Sequence, residues 1–197
     1  MDENLANIRH ERSKKDFPAL KLEDGEYVEF AFSRAKICYA LIWGGVIGIS
    51  VVISLLFLFI NATNSADFNN VMGHNFLSLI LGVIIVVAVL AGLVMTKIFS
   101  CNKMYITNRR AIQYVMISPV VTSKNVIDLS SIEDASFRQT SILQKIFKIG
   151  TLRLSTVGDE TTYTLQYVDV LGGDELNSIT KLIRSNKNKN KDDNEEA

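Results

Sequence analysis

Hydrophobic and polar positions along this chain follow three different rhythms. Between 37 and 60 no Asp, Glu, Lys, Arg or His interrupts the apolar run, and a second uncharged run covers 76 to 96. At 1.5 Å rise per residue, a run of roughly 24 residues reaches about 36 Å, enough to cross a ~30 Å hydrocarbon core with some tilt. A soluble helix would show a polar face, and these runs have none. They predict two transmembrane helices, 37–60 and 76–98, joined by a loop over 61–75. A cleaved signal peptide does not fit: its charged region would be the whole of 1–36, and no small-x-small site follows the first run. Small residues at four-residue spacing, Gly44 with Gly48 and Ala88 with Gly92, would permit close helix packing within the hairpin or between copies.

Beyond the second run the period shortens to that of strands. Residues 103–107, 111–117, 120–129 and 132–139 read as strands, with a tight turn at Asn108-Arg109 and a break at Ser118-Pro119, where proline cannot donate to a ladder. Ile142, Leu143, Ile146 and Phe147 have the spacing of a short helix over 142–149, which Gly150 would terminate. Residues 151–157 and 162–168 predict a hairpin around Gly158-Asp159. A helix over 174–184 has acids in its first turn, bases in its last, and Leu176, Ile179 and Ile183 on one face. The polar tail 185–197 has nothing to bury and is expected to be disordered. Upstream, 1–19 is polar, mixed in charge and expected to be mobile. Asp24-Gly25 offers a turn, and Val28, Phe30 and Phe32 alternate as a short strand or a membrane-hugging segment. The expected organisation is a cytosolic segment (1–36), the two spans and their loop (37–60, 61–75, 76–98), a folded domain (99–184) and the tail (185–197).

Three stretches carry a resemblance. Met104-Tyr105-Ile106-Thr107-Asn108-Arg109-Arg110, then Ile127-Asp128-Leu129-Ser130-Ser131-Ile132, then Gln144-Lys145-Ile146-Phe147-Lys148-Ile149-Gly150-Thr151-Leu152-Arg153-Leu154-Ser155-Thr156 resemble, in order and spacing, the bacterial membrane-anchored pleckstrin-homology-like (PH-like) family. Members of that family place paired transmembrane helices directly before the domain. The resemblance covers about 36–184, and one departure is Ile117-Ser118-Pro119, where the family often has a glycine turn. It implies a membrane α-helical hairpin plus a mainly-β PH-like domain, a bent antiparallel sheet closed by a C-terminal helix.

Charge then orients the chain. Lys and Arg together number 21, as do Asp and Glu, so the formal net charge is zero and no global field points to nucleic acid. The bases are placed unevenly: Arg9, Arg12, Lys14, Lys15, Lys21, Arg34 and Lys36 precede the first run, and Lys97, Lys103, Arg109 and Arg110 follow the second. The intervening loop has no base and only Asp67 as a fixed charge. The positive-inside rule therefore predicts a multi-pass cell-membrane protein with both termini cytoplasmic. Cys38 and Cys101 flank the apolar region in no metal or redox spacing and read as free thiols.

Candidate chemistry is sparse. His10 and His74 fall on opposite sides of the expected membrane, and no catalytic or nucleotide-binding fingerprint occurs. Glu133-Asp134 and Asp159-Glu160 read as solvated acids, so no catalytic residue, cofactor or metal site is expected. A channel or transporter would leave intramembrane charges or broken helices; only hydroxyls such as Ser50, Ser54, Ser78 and Thr96 appear, and these can bond to their own backbone. Lys97, Lys103, Arg109 and Arg110 are the candidate lipid-binding residues, each base near an anionic leaflet contributing about 1 kcal/mol. The competing reading is that they only set topology. Lys145, Lys148 and Arg153 read as a solvated face. The expected function is a non-enzymatic membrane-anchored binding or scaffolding module contacting inner-leaflet lipid, a membrane-protein partner or further copies of itself. The alternative is an accessory subunit of a larger membrane complex in transport or envelope maintenance; a channel or an enzyme ranks below both.

Overall fold

A computed structural model describes residues 2–63, 71–156 and 162–195. Asp67, the Gly158-Asp159 turn and Glu160 lie outside those residues. The chain divides into two compact units: Met1–Ala35 together with Ser100–Ala197, and Lys36–Phe99.

The first unit is mainly β. It contains helix α1 (Asp2–Asp16) and strand β1 (Val28–Ser33), followed beyond the second unit by β2 (Lys103–Thr107), β3 (Arg110–Met116), β4 (Thr122–Asp128) and β5 (Ile132–Arg138). The short helix α4 (Ile142–Ile146), β6 (Ile149–Thr156), β7 (Thr162–Asp169) and helix α5 (Gly173–Glu195) complete it. The strands form two antiparallel sheets, β1-β2-β3-β4 and β5-β6-β7. Alternation puts Met104 and Ile106 of β2 and Leu152 and Leu154 of β6 into one core, which Ile179 and Ile183 of α5 close. Gln113, also buried, donates from Nε2 to the Thr164 carbonyl at 2.9 Å and so links the two sheets.

Of the two readings left open for the alternating segment near 27–32, the strand is the one observed, with Phe30 opposite Ile106 and Ser33 opposite Lys103. The folded unit therefore begins upstream of the apolar runs, and is not confined to 99–184. Other elements differ from the sequence expectation. The N-terminal stretch is not featureless: α1 has no apolar stripe, which is why the pattern missed it, yet His10 and Ser13 are buried. Phe17 then packs edge-on against Tyr105 at 5.3 Å, on the face of the first sheet away from the core.

Around Gly150 the difference is steric. The helix stops at Ile146, Lys148 takes the left-handed conformation (φ 51°), and Gly150 lies inside β6. A Cβ there would meet the Phe137 ring and lie 2.8 Å from the Arg138 carbonyl oxygen, so the glycine permits β5 and β6 to approach. α5 continues to Glu195 where a disordered tail is expected, since no glycine or proline interrupts the backbone after Gly173.

The second unit consists of α2 (Lys36–Thr63) and α3, which runs from Val71 to Cys101 and carries the chain back into the first unit. Stretches of 25 and 24 residues, Lys36–Ile60 and Ser78–Cys101, are long and apolar enough to cross a membrane. Ser50, Ser54 and Thr96 donate to carbonyls one turn back, each at 2.8 Å, so their hydroxyls are satisfied within their own helices. Gly92 faces α2, where a Cβ would lie 3.0 Å from Val46 Cγ2. Gly44 and Gly48 have open space where a Cβ would stand. Cys38 and Cys101 form no disulfide with each other.

Connectivity is the main point for function. The two-helix unit is spliced into the link between β1 and β2, which are adjacent antiparallel strands. A bulge in β7 holds Tyr167 at φ 61°, its carbonyl accepts from Ala35 N at 2.7 Å, and Arg34 bridges Val168. This ties the end of β1 to the second sheet.

Candidate functional site

The densest polar arrangement among the described residues surrounds Glu26. Gly25 takes φ 74°, a conformation that favours glycine, and the turn it forms brings Glu26 against the β2–β3 turn. Glu26 is fully buried. Its Oε1 accepts from Arg110 Nε at 2.9 Å and lies 2.8 Å from Thr107 Oγ1; its Oε2 accepts from Arg110 Nη2 at 2.7 Å and Glu23 N at 2.9 Å. Thr107 Oγ1 is equally close to the Arg110 carbonyl, so its one proton serves one acceptor at a time, while it accepts from Arg110 N at 2.9 Å.

Neighbouring contacts stitch the same place to the N-terminal segment. Asn108 Oδ1 accepts from Tyr27 N at 3.1 Å, and its Nδ2 donates to the Gly25 carbonyl at 3.2 Å. His10 Nδ1 lies 2.6 Å from the Glu26 carbonyl oxygen, which can only accept, so that nitrogen carries the proton. Ser13 Oγ accepts from Val28 N at 3.1 Å.

Burial pushes the Glu26 pKa up. Hydrogen bonds from Arg110, Glu23 N and Thr107, with the charge of Arg110, outweigh it and hold the carboxyl below its ordinary value. The hydrogen bond to Glu26 raises Arg110 in turn. With three N–H donors on its two oxygens and the Thr107 hydroxyl within reach of Oε1, Glu26 is a clamp across 84 residues of sequence.

Two of the four expected lipid-binding residues belong to this clamp. Arg110 also reaches Glu23 at 2.9 Å, and Arg109 lies 3.7 Å from the same carboxylate. Lys103 is exposed at the opposite end of β2, and Lys97 lies on α3 in the other unit. Lys145 and Lys148 are exposed around α4, whereas Arg153 on β6 donates to Thr162 Oγ1 at 3.2 Å. Sequence reasoning found the Asp24-Gly25 turn but missed Glu26, because its partners come from the far side of the apolar runs.

The fold thus defines a class: a mainly-β domain of two antiparallel sheets, interrupted by two helices long enough to cross a membrane. No protein-family model matches the sequence, and no curated protein matches it. Among solved structures, the chain is similar to a DUF1696 family protein with a pleckstrin-homology domain from Shewanella loihica. That similarity has 15% identity and a TM-score of 0.30, covering 44% of this chain and 70% of the other.

Proposed function

We propose that this chain is a multi-pass membrane protein whose PH-like β-domain is held at the cytosolic face as a non-enzymatic binding or scaffolding module. The observation that carries this reading is the splice between β1 and β2. Ser33 opposite Lys103 brings both ends of the apolar unit to one place, which an even number of membrane crossings satisfies and an odd number does not. The excess of bases outside the 61–75 loop supports a cytosolic placement of that side. Antiparallel strands closed by α5 also agree with what the PH-like resemblance implies, a bent antiparallel sheet closed by a C-terminal helix.

The test has two arms. With Cys38 and Cys101 replaced, a cysteine at Ser65 should react with an impermeant maleimide on intact cells and one at Ser185 should not; the reverse overturns the orientation. The full chain purified in mild detergent should retain a stoichiometric lipid or protein. Recovery of neither overturns the binding role, and a stoichiometric transport or envelope protein would identify an accessory subunit.

A further inference from the structure

The β-domain displays two apolar protrusions that its own core does not use. In the β3–β4 link, Ile117, Val120 and Val121 are 69, 91 and 52% exposed. On α4, Ile142, Leu143 and Ile146 are 78, 62 and 64% exposed. Local hydrogen bonds shape both features. Ile117 N donates to the Val121 carbonyl at 3.1 Å and Val121 N to the Ser118 carbonyl at 3.2 Å, closing the loop around Pro119. A capping box between Ser141 and Gln144 fixes the start of α4.

Topology places both protrusions at one end of the domain. Ser33, Lys103 and Tyr114 stand side by side across β1, β2 and β3, so the β3–β4 link emerges where β1 ends and β2 begins. Asn102, one residue after α3, accepts from Met116 N at 2.5 Å and ties that link to the point of re-entry. In the second sheet Arg138 faces Thr151 and Gly150 faces Val168, which bridges Arg34. The link that carries α4, from Arg138 to Ile149, therefore lies beside the chain's departure into α2. The Asn108-Arg109 turn is at the other end of the first sheet.

From this placement we infer that the tip of the β3–β4 link and the exposed face of α4 form a two-point seat inserted into the lipid interface of the bilayer. This rests on the membrane reading proposed above. Charge favours the same occupant: exposed Lys103 and Lys124 stand near the first point, and exposed Lys145 and Lys148 flank the second. Apolar side chains with lysines beside them match an acyl boundary beneath anionic headgroups. The seat reverses the sequence expectation, in which Arg109 and Arg110 contact lipid and Lys145 and Lys148 only face solvent.

The test uses the full chain, with Cys38 and Cys101 replaced by Ala, in vesicles of phosphatidylcholine and phosphatidylglycerol. Single cysteines at Val120, Leu143, Glu133 and Leu55 carry an environment-sensitive fluorophore, and nitroxide-labelled lipid is the quencher. Probes at Val120 and Leu143 should both shift to the blue and be quenched several-fold more than the one at Glu133, at the far end of β5. Quenching at Leu55 but at neither or only one of Val120 and Leu143 overturns the seat and leaves the membrane reading intact. A blue shift at both without lipid quenching overturns it in favour of a protein or a second copy covering this face. No quenching at Leu55 overturns the seat and the membrane reading together.

Discussion

Ile179 and Phe59 are both large apolar side chains on helices, yet one is fully buried and the other is 66% exposed. The contrast holds for the units they belong to. In the β-domain, apolar residues alternate inward and stabilise the fold by leaving water. On α2 and α3 they point outward, as on helices long and apolar enough to cross a membrane. Apolar content alone therefore says little about either unit; its period along the chain separates them.

The sharpest test is a charge in each setting that is meant to be dry. Ile179→Asp should unfold the β-domain, because an unpaired carboxylate in its core costs several kcal/mol, comparable to a small domain's whole stability of about 5–15 kcal/mol. Near-UV circular dichroism of the detergent-solubilised chain should lose its tertiary signal, while the helical signal of α2 and α3 persists. Loss of both together would mean the units do not fold independently.

Next in size is the clamp. Arg110→Met leaves Glu26 buried without its cation and should cost about 3–5 kcal/mol in denaturant unfolding. Adding Glu26→Leu should recover a large share of that loss. Additive costs in the double-mutant cycle would contradict the coupling.

Gly150→Ala should cost about 1–3 kcal/mol, since the new methyl must displace Phe137 or push β5 and β6 apart. Gly44→Ala, with open space around it, should leave β-domain unfolding unchanged. An equal cost at both would erase the distinction between the packed and the open glycine.

The smallest effect is pH dependence. Glu26 has a folded-state pKa below its ordinary value, so the unfolded chain binds the proton more tightly. Its contribution is present above the unfolded carboxylate pKa of about 4.3 and is lost as pH falls through the lower folded value. The acid side of the stability profile should flatten in Glu26→Gln, and an unchanged slope would mean other carboxylates dominate.

The one-dimensional pattern by itself determined a good deal. Uninterrupted uncharged runs fixed α2 and α3, because a long predominantly apolar stretch is a signal carried by composition and length alone. Alternation with turn residues fixed β2, β3 and the β6–β7 pair, and the 3.6-residue stripe of Leu176, Ile179 and Ile183 fixed the core face of α5. These are local signals, carried by neighbours in sequence. Only the tertiary structure decided that β1 belongs to the sheet, that α1 is docked, and that Arg110 pairs with Glu26. Each of those depends on partners brought together across the inserted helices, 84 residues apart for Glu26 and Arg110. Gly150 is the same case at shorter range: what makes it necessary is the Phe137 ring on the next strand, which no spacing along the chain reveals.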